Sequence, residues 1–260
     1  MASVPAWLTA RPIAHRGLHD VAAGRPENTA AAALAAIAGG FAIECDVQLS
    51  ADGDAMVFHD DTLDRLTGEA GPVADRSAAM LDRLTIGGTA EPMPRLAAFL
   101  ATIAGRVPLV CEVKSGFDGD MRLADRAAAI LADYAGPVAI KSFDPAVLRH
   151  LRAVAPAGLP LGIVAEAHYA DPEWDGLAPA LKRDLAALAH FGETRPDFLS
   201  YWVADLPHAA ATLMRVGLGR PVMAWTVRTP DQAARARLWA DQMVFEGLVP
   251  DDRPQSPALV

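Results

Sequence analysis

The sequence predicts an α/β fold, a (β/α)8 barrel formed by a single domain over residues 1–260. Short apolar segments bounded by Gly or Pro alternate with Ala-, Leu- and Arg-rich segments of helical periodicity, which is typical of βαβ units and a parallel sheet. About eight such units fit into 260 residues, close to the length of one closed barrel. A doubly wound open sheet is the alternative, but no Gly-x-Gly-x-x-Gly motif follows the first strand.

Eight short apolar segments are predicted to be strands, and helical patterns lie between most of them. The predicted strands cover residues 12–15, 41–47, 108–114, 137–142, 160–164, 198–202, 221–226 and 242–245. The predicted helices cover residues 29–38, 95–104, 120–134, 144–154, 178–190, 207–216 and 230–240.

Helix-capping residues support these boundaries. Asn28 or Thr29 can cap the first helix, while Asp144 and Thr229 each precede a proline suited to the first helical position. The segment at about 50–94 does not follow the alternation. It is far longer than the usual connection of about 2–6 residues, so we expect a small, functional insertion after the second strand.

Composition and net charge exclude several classes of protein for this chain. The chain is 52% hydrophobic and 21% charged, which excludes a mainly disordered protein. Its net charge of −9 and the absence of a Lys/Arg cluster argue against nucleic-acid binding and stable membrane association. With no long apolar run, no signal-peptide pattern and two cysteines, we expect a cytoplasmic protein with reduced thiols.

Charged pairs occur within two neighbouring predicted strands. Glu44 and Asp46 are two residues apart, as are Glu112 and Lys114, so each pair shares one face of its strand. Near the carboxyl ends of barrel strands, inward side chains line the mouth of the active site. Three carboxylates without Cys or His partners suit Mg²⁺ or Ca²⁺. An ion-pair network that includes Arg16 is the alternative interpretation.

Two further expectations follow from these pairs. Without a cation, close carboxylates repel one another, so some of their pKa values should rise. Cys45 and Cys111 each lie next to a predicted ligand, so they should point outward, towards the helices.

His15 and His59 differ from the other histidines because each ends an apolar run near the acidic pairs. We interpret His19, His150, His168, His190 and His208 as structural. Trp225 is either a wall of the substrate site or part of the barrel packing, and we assign Trp202 to packing.

An ordered series of motifs runs through the chain. It comprises His15-Arg16-Gly17, Pro26-Glu27-Asn28-Thr29, Ile43-Glu44-Cys45-Asp46-Val47, Asp52-Gly53, His59-Asp60 with Leu63, Arg65 and Thr67 after it, Glu112-Val113-Lys114, Ser142-Phe143 and Trp225-Thr226-Val227. This series resembles the glycerophosphodiester phosphodiesterase family over nearly the whole chain. One departure lies at 240–250, where the family's usual Asp-Gly ending is replaced by a segment containing Glu246-Gly247.

The resemblance implies three sets of site residues. They are the metal ligands Glu44, Asp46 and Glu112, the acid–base pair His15 and His59, and the phosphate-binding residues Arg16 and Lys114. It implies metal-dependent hydrolysis of a glycerophosphodiester, a small-molecule substrate, to glycerol 3-phosphate and an alcohol. We interpret His15 as the base and His59 as the acid that protonates the leaving group.

Two alternatives remain open at this point. A related phosphodiester lyase or lipid phospholipase would use the same barrel and two histidines. A non-catalytic metal- or phosphate-binding barrel is the alternative from another class. We expect a monomer or a symmetric homodimer.

Overall fold

The computed structural model describes residues 4–250 and contains a closed barrel of eight parallel strands in that part of the chain. The strands, in chain order, are β1 (Ile13–Ala14), β2 (Ala42–Leu49), β3 (Ala55–Val57), β4 (Leu109–Val113), β5 (Val138–Ser142), β6 (Leu161–Ala165), β7 (Phe198–Trp202), β8 (Val222–Val227) and β9 (Gln242–Phe245). All except β3, which pairs antiparallel with β2, belong to the barrel.

The barrel closes through β1, which pairs with β2 on one side and with β9 on the other. Ile13 is in register with Ala42 and with Val244, and Ala14 is in register with Ile43 and Phe245. Parallel pairing continues around the ring in the order β2, β4, β5, β6, β7, β8, β9. The predicted (β/α)8 barrel is therefore confirmed.

Helices connect the barrel strands and cover the outside of the ring. They are α1 (Ala30–Ala38), α2 (Ala78–Leu81), α3 (Leu96–Ile103), α4 (Arg122–Ala132), α5 (Pro145–Val154), α6 (Pro179–Ala186), α7 (Phe191–Thr194), α8 (Ala209–Thr212) and α9 (Pro230–Trp239). Thr29, Asp144 and Thr229 cap α1, α5 and α9 by accepting backbone N–H groups.

Two helix predictions differ from the structure. The single helix expected over 178–190 is divided, because Leu188 takes a left-handed φ of 50° between α6 and α7, a conformation incompatible with a continuing helix. The helix expected over 207–216 begins as α8 and continues as a wider π-helical turn at Leu213–Gly217.

The alternation of side chains along each strand separates the interior of the barrel from the helix layer. Ala42, Val110 and Ala139 belong to an apolar cluster inside the ring. Two residues further along the same strands, Glu44, Glu112 and Lys141 share their inward orientation. A charged layer therefore lies above an apolar one, towards the carboxyl ends of the strands.

The two cysteines lie on the opposite face of these strands. Cys45 and Cys111 are in register on β2 and β4, are fully buried, and belong to the core between the sheet and the helices. Both are free thiols. A hydrogen bond with Cys111, together with burial, raises the pKa of the Cys45 thiol. The expected outward orientation is confirmed, and the thiols serve as packing.

The segment between β2 and α3 has its own structure. It contains β3 and α2, and Met56, Phe58, Leu63, Leu81 and Ile86 contribute to an apolar cluster separate from the main core. Because β3 ends just before Phe58, this packing fixes the backbone that carries His59. Within residues 4–250, no helix has the length and apolar character needed to cross a membrane.

Candidate active site

A cavity of about 610 Å³ opens at the carboxyl ends of the barrel strands. Its lining includes seven of the eight residues predicted from the sequence, namely His15, Arg16, Asp46, His59, Glu112, Lys114 and Trp225. The eighth, Glu44, is fully buried and lies beneath the cavity. The structure thus brings all eight residues to one end of the barrel.

The three carboxylates of the charged layer lie close together. One oxygen from each of Glu44, Asp46 and Glu112 lies within 4.8 Å of the others. The ammonium of Lys114 is 2.9 Å from Asp46 Oδ1 and 2.6 Å from Glu112 Oε1. The ammonium of Lys141 is 3.0 Å from Glu44 Oε1 and 3.0 Å from Glu112 Oε2. Two cations therefore balance much of the negative charge of this cluster.

This balance corrects the expectation that carboxylate pKa values would rise. Burial by itself raises the pKa of Glu112, but Lys114 and Lys141 outweigh it and lower that pKa to about 2. Burial likewise opposes ionisation of Asp46, yet Lys114, His59 and Arg16 hold its pKa well below the usual range. Asp46 and Glu112 remain ionised because the chain itself supplies cations.

Lys141 is a site residue that sequence reasoning missed. It is 3% exposed and lies on β5, the strand that follows β4 around the ring. The signal in the sequence is a lysine within an otherwise apolar strand, three residues after its start. Its contacts depend on Lys141 lying in register with Glu112, and sequence alone does not specify that register.

His15 is held by a second residue that the sequence did not single out. Its ring Nδ1 lies 2.7 Å from Glu246 Oε2, and its Nε2 lies 4.0 Å from Glu44 Oε2. Arg228 donates to the same Glu246 oxygen at 3.0 Å. Burial opposes ionisation of Glu246, but the bonds from His15 and Arg228 lower its pKa. The departure at 240–250 therefore carries a residue of the site.

His59 has a matching carboxylate partner. Its Nδ1 lies 2.8 Å from Asp60 Oδ1. Arg65 donates to Asp60 and also to Glu27, and Glu27 accepts from Arg16 at 2.6 Å. A chain of ion pairs thus connects the insertion to the loop after β1, so that His59 and Arg16 are positioned together.

The loop after β1 folds over the carboxylates. The backbone N–H of Arg16 donates to Glu44 Oε2 at 3.0 Å, and the Arg16 Nε lies 3.5 Å from Asp46 Oδ2. Asn28 does not cap α1; its amide donates to Asp46 Oδ2 at 3.0 Å and its oxygen accepts from the Asp46 backbone at 3.3 Å. The Asn28 side chain therefore orients a predicted metal ligand.

Both tryptophans of β7 and β8 line the cavity. The ring centroids of Trp202 and Trp225 are 4.8 Å apart, and both side chains are half-buried. Trp202 packs against Trp225, as predicted, and its side chain also lines the cavity. None of the five histidines interpreted as structural belongs to this lining.

The residues present fit a divalent cation. Oxygen ligands at about 2.0–2.6 Å from one ion can be separated by up to about 5 Å, which covers the spacing of the three carboxylates. Hard oxygen donors of this kind suit Mg²⁺ or Ca²⁺. The lysine ammonium groups hold the same oxygens, so the cluster is both a candidate metal site and an ion-pair network.

Comparison with known proteins identifies the family. Residues 15–252 match the model described as the glycerophosphoryl diester phosphodiesterase family. The chain belongs to this family. Members of the glycerophosphoryl diester phosphodiesterase family are phosphodiester hydrolases, and the chain is an enzyme of that class.

Individual relatives agree with this assignment. A glycerophosphodiester phosphodiesterase of Caldanaerobacter subterraneus is 32% identical over 170 residues, which are 62% of this chain and 68% of the relative. The Bacillus subtilis (strain 168) protein YhdW is 26% identical over 252 residues. These residues are 92% of this chain and 93% of the YhdW chain.

A solved structure shares the fold across most of its length. The Oleispira antarctica phosphodiesterase, solved with its product sn-glycerol-3-phosphate, is 23% identical. The superposition covers 90% of this chain and 91% of the Oleispira antarctica chain, with a TM-score of 0.73.

Proposed function

We propose that the chain hydrolyses glycerophosphodiesters to glycerol 3-phosphate and an alcohol, with a divalent cation bound by Glu44, Asp46 and Glu112 and with His15 and His59 as the acid–base pair. The observation that carries this proposal is that both histidines line the cavity that contains Arg16, Lys114 and the carboxylate cluster. The product of the Oleispira antarctica enzyme, sn-glycerol-3-phosphate, is the same compound as the proposed product.

The hydrogen bonds of the histidines support a role in proton transfer. In each ring, Nδ1 donates to a carboxylate, Glu246 for His15 and Asp60 for His59. This leaves Nε2 as the ring nitrogen that can accept or release a proton. A neutral ring at one position is a base and a protonated ring at the other is an acid, which is what phosphodiester cleavage requires.

The assignment of roles follows the surroundings of each ring. His15 Nε2 is the ring nitrogen nearer the carboxylate cluster, 4.0 Å from Glu44, so we assign it to deprotonate a glycerol hydroxyl of the substrate. That hydroxyl attacks phosphorus and expels the alcohol, and water then opens the resulting cyclic phosphate to glycerol 3-phosphate. His59 lines the same cavity and is carried by the insertion, just after β3. We assign it to protonate the oxygen of the departing alcohol.

Positive charge for the phosphate comes from the chain and from the cation. Arg16 and Lys114 line the cavity and are already held in place by carboxylates, so they stabilise negative charge with little reorganisation. A divalent cation held by Glu44, Asp46 and Glu112 would supply further positive charge to stabilise the phosphate.

The experiment that tests this proposal uses the purified full-length chain and glycerophosphocholine. Release of glycerol 3-phosphate is measured with EDTA and then with Mg²⁺ or Ca²⁺ added. We expect release with at least one cation and none with EDTA. Release that is unaffected by EDTA contradicts the metal requirement, and no release from a panel of glycerophosphodiesters with either cation contradicts the substrate class.

A further inference from the structure

The loop after β6 brings to the cavity three carboxylates that form no ion pair within the described part of the chain. Glu166 directly follows β6, and Asp171 and Glu173 follow it in the loop before α6. All three line the cavity. Within residues 4–250, none of them forms an ion pair with Lys, Arg or His, in contrast to the carboxylates of the charged layer.

Glu166 shows that this negative charge is uncompensated. Its side chain is only 7% exposed although it lines the cavity. Burial, together with the charges of Asp171, Glu173 and Asp205, raises its pKa to about 7. A buried carboxylate without a cationic partner is unfavourable in a folded protein, so a cation from outside the chain would stabilise the ionised form of Glu166.

Aromatic rings form the adjoining wall. Phe143 lies 4.8 Å from Trp174 and 5.4 Å from Trp225, and Trp225 lies 4.8 Å from Trp202, measured between ring centroids. All four line the cavity, and Phe143, Trp202 and Trp225 are only half-buried. Exposed aromatic faces beside carboxylates are the surroundings in which organic ammonium groups bind.

The lining of the cavity therefore carries both signs of charge. Arg16 and Lys114 belong to it, and so do Glu166, Asp171 and Glu173, which follow β6. Burial raises the pKa of Glu173, and Lys114 and His59 are close enough to oppose that rise. Glu173 is thus close to His59, the histidine assigned to protonate the leaving alcohol.

We infer that Glu166, Asp171 and Glu173, together with Phe143, Trp202 and Trp225, form a subsite for the positively charged ammonium of the leaving alcohol. Glycerophosphodiesters of choline or ethanolamine are then preferred over those of uncharged alcohols, since the lining offers basic side chains for the anionic phosphate and the carboxylates of the loop after β6 for the cationic amine. This inference rests on the proposed function and assigns the alcohol that it leaves open.

The test compares kcat/KM for glycerophosphocholine with kcat/KM for glycerophosphoglycerol, whose leaving alcohol is uncharged. We expect the native enzyme to favour the choline substrate by about 10-fold or more, because each charge interaction contributes about 1 kcal/mol, or roughly 5-fold. The double variant Asp171→Asn/Glu173→Gln should lower this preference about 10-fold, mainly by raising KM for glycerophosphocholine. Both residues are exposed, so the change should leave folding intact.

Two further variants separate the contributions of charge and aromatic surface. Trp202→Leu should lower the preference about 3-fold, because it removes a ring face that a cation can contact. Asp175→Asn is the matched control, since Asp175 is an exposed carboxylate of the same loop that does not line the cavity. This control should leave both substrates unchanged.

A native preference near unity, or a preference that the double variant does not change, overturns the inference. If no glycerophosphodiester is cleaved, the proposed function fails, and binding of free choline then decides the subsite. Choline binding is followed by quenching of tryptophan fluorescence. Saturable binding that the double variant loses supports the subsite, and no binding overturns it.

Discussion

Each histidine that lines the cavity has one ring nitrogen bound to a carboxylate, at 2.7 Å for His15 and 2.8 Å for His59. We expect His15→Ala and His59→Ala each to lower kcat by about 10²–10⁴-fold, the usual contribution of a general acid or base. Steady-state kinetics with glycerophosphocholine measures the loss.

His150→Ala is the control for these variants, because His150 binds Asp125 away from the cavity. Full activity of a folded His15 or His59 variant would remove that residue from the mechanism.

The ammonium of Lys141 bridges two candidate metal ligands, Glu44 and Glu112. In Lys141→Met, Glu44 and Glu112 lose a buried counter-charge, so we expect unfolding to become easier by about 3–5 kcal/mol without a metal. A divalent cation can then replace the missing charge. The rise in Tm on adding Mg²⁺ or Ca²⁺ should therefore be larger than in the native protein.

The surface substitution Lys182→Met is the control for charge removal. Thermal unfolding with EDTA and with each cation checks the prediction. An equal rise in Tm for the native protein and Lys141→Met would show that the lysine and the cation do not share these oxygens.

The raised pKa of Glu166 predicts that the stability of the protein depends on pH. Its pKa is about 7 in the folded protein, above the 4.5 of an unperturbed Glu. The stabilising effect of its protonated form is complete below pH 4.5 and is lost as pH rises through 7. Asp171, Glu173 and Asp205 are the charges that act on it, while burial keeps Tyr169 and Tyr201 protonated by raising their pKa values.

We therefore expect Glu166→Gln to raise the free energy of unfolding by about 1–3 kcal/mol at pH 8 and to change nothing below pH 4.5. Thermal unfolding between pH 4 and 8 provides the measurement, with the exposed Glu69→Gln as control. A difference in Tm that does not depend on pH would contradict this account.

The site residues that could be predicted from the sequence are those whose arrangement depends only on near neighbours along the chain. Glu44 and Asp46 share a strand face whatever the rest of the fold does, because side chains alternate along a strand. Lys141 and Glu246 were missed because their partners, Glu112 and His15, lie on other strands or at the opposite end of the chain. Such contacts depend on strand register and on closure of the ring.

At the scale of elements, Asp144 connects two segments. It caps α5 by accepting the Ala146 N–H at 2.8 Å, and it accepts the Ser115 hydroxyl after β4 at 2.7 Å. We expect Asp144→Ala to lower the free energy of unfolding by about 1–2 kcal/mol, since both donors lose their partner. Urea denaturation provides the measurement.

Thr229→Ala is the comparison for this cap. Thr229 caps α9 with a longer bond of 3.2 Å to Gln232 and is exposed, so its loss should cost less, about 0.5–1 kcal/mol. A larger effect at Thr229 than at Asp144 would contradict the role given to the Ser115 contact.

Element boundaries were predictable where a cap or a proline marks them. The predicted strands at 198–202 and 242–245 agree with β7 and β9, and Thr29, Asp144 and Thr229 cap helices as expected. The division between α6 and α7 was not predictable, because Leu188 is a residue that commonly continues a helix. Its left-handed backbone is a result of tertiary context.

On the scale of the whole molecule, the fold was predictable because eight repeated units of strand and helix specify a parallel barrel. The distribution of charge within the cavity could not be predicted from the sequence. The net charge of −9 gives no indication that Arg16 and Lys114 line the same cavity as the carboxylates Glu166, Asp171 and Glu173. These residues come together because loops after different strands meet at one mouth of the barrel.

The shortness of β1 links the integrity of the ring to its chemistry. Only Ile13 and Ala14 pair with both neighbouring strands, and the next residue, His15, donates its backbone N–H to Phe245 and its ring N–H to Glu246. We expect the barrel to open first at this seam under mild denaturation, because it has few strand hydrogen bonds. Enzyme activity should therefore be lost at a lower urea concentration than the far-ultraviolet circular dichroism signal. Activity would then report whether the barrel is closed.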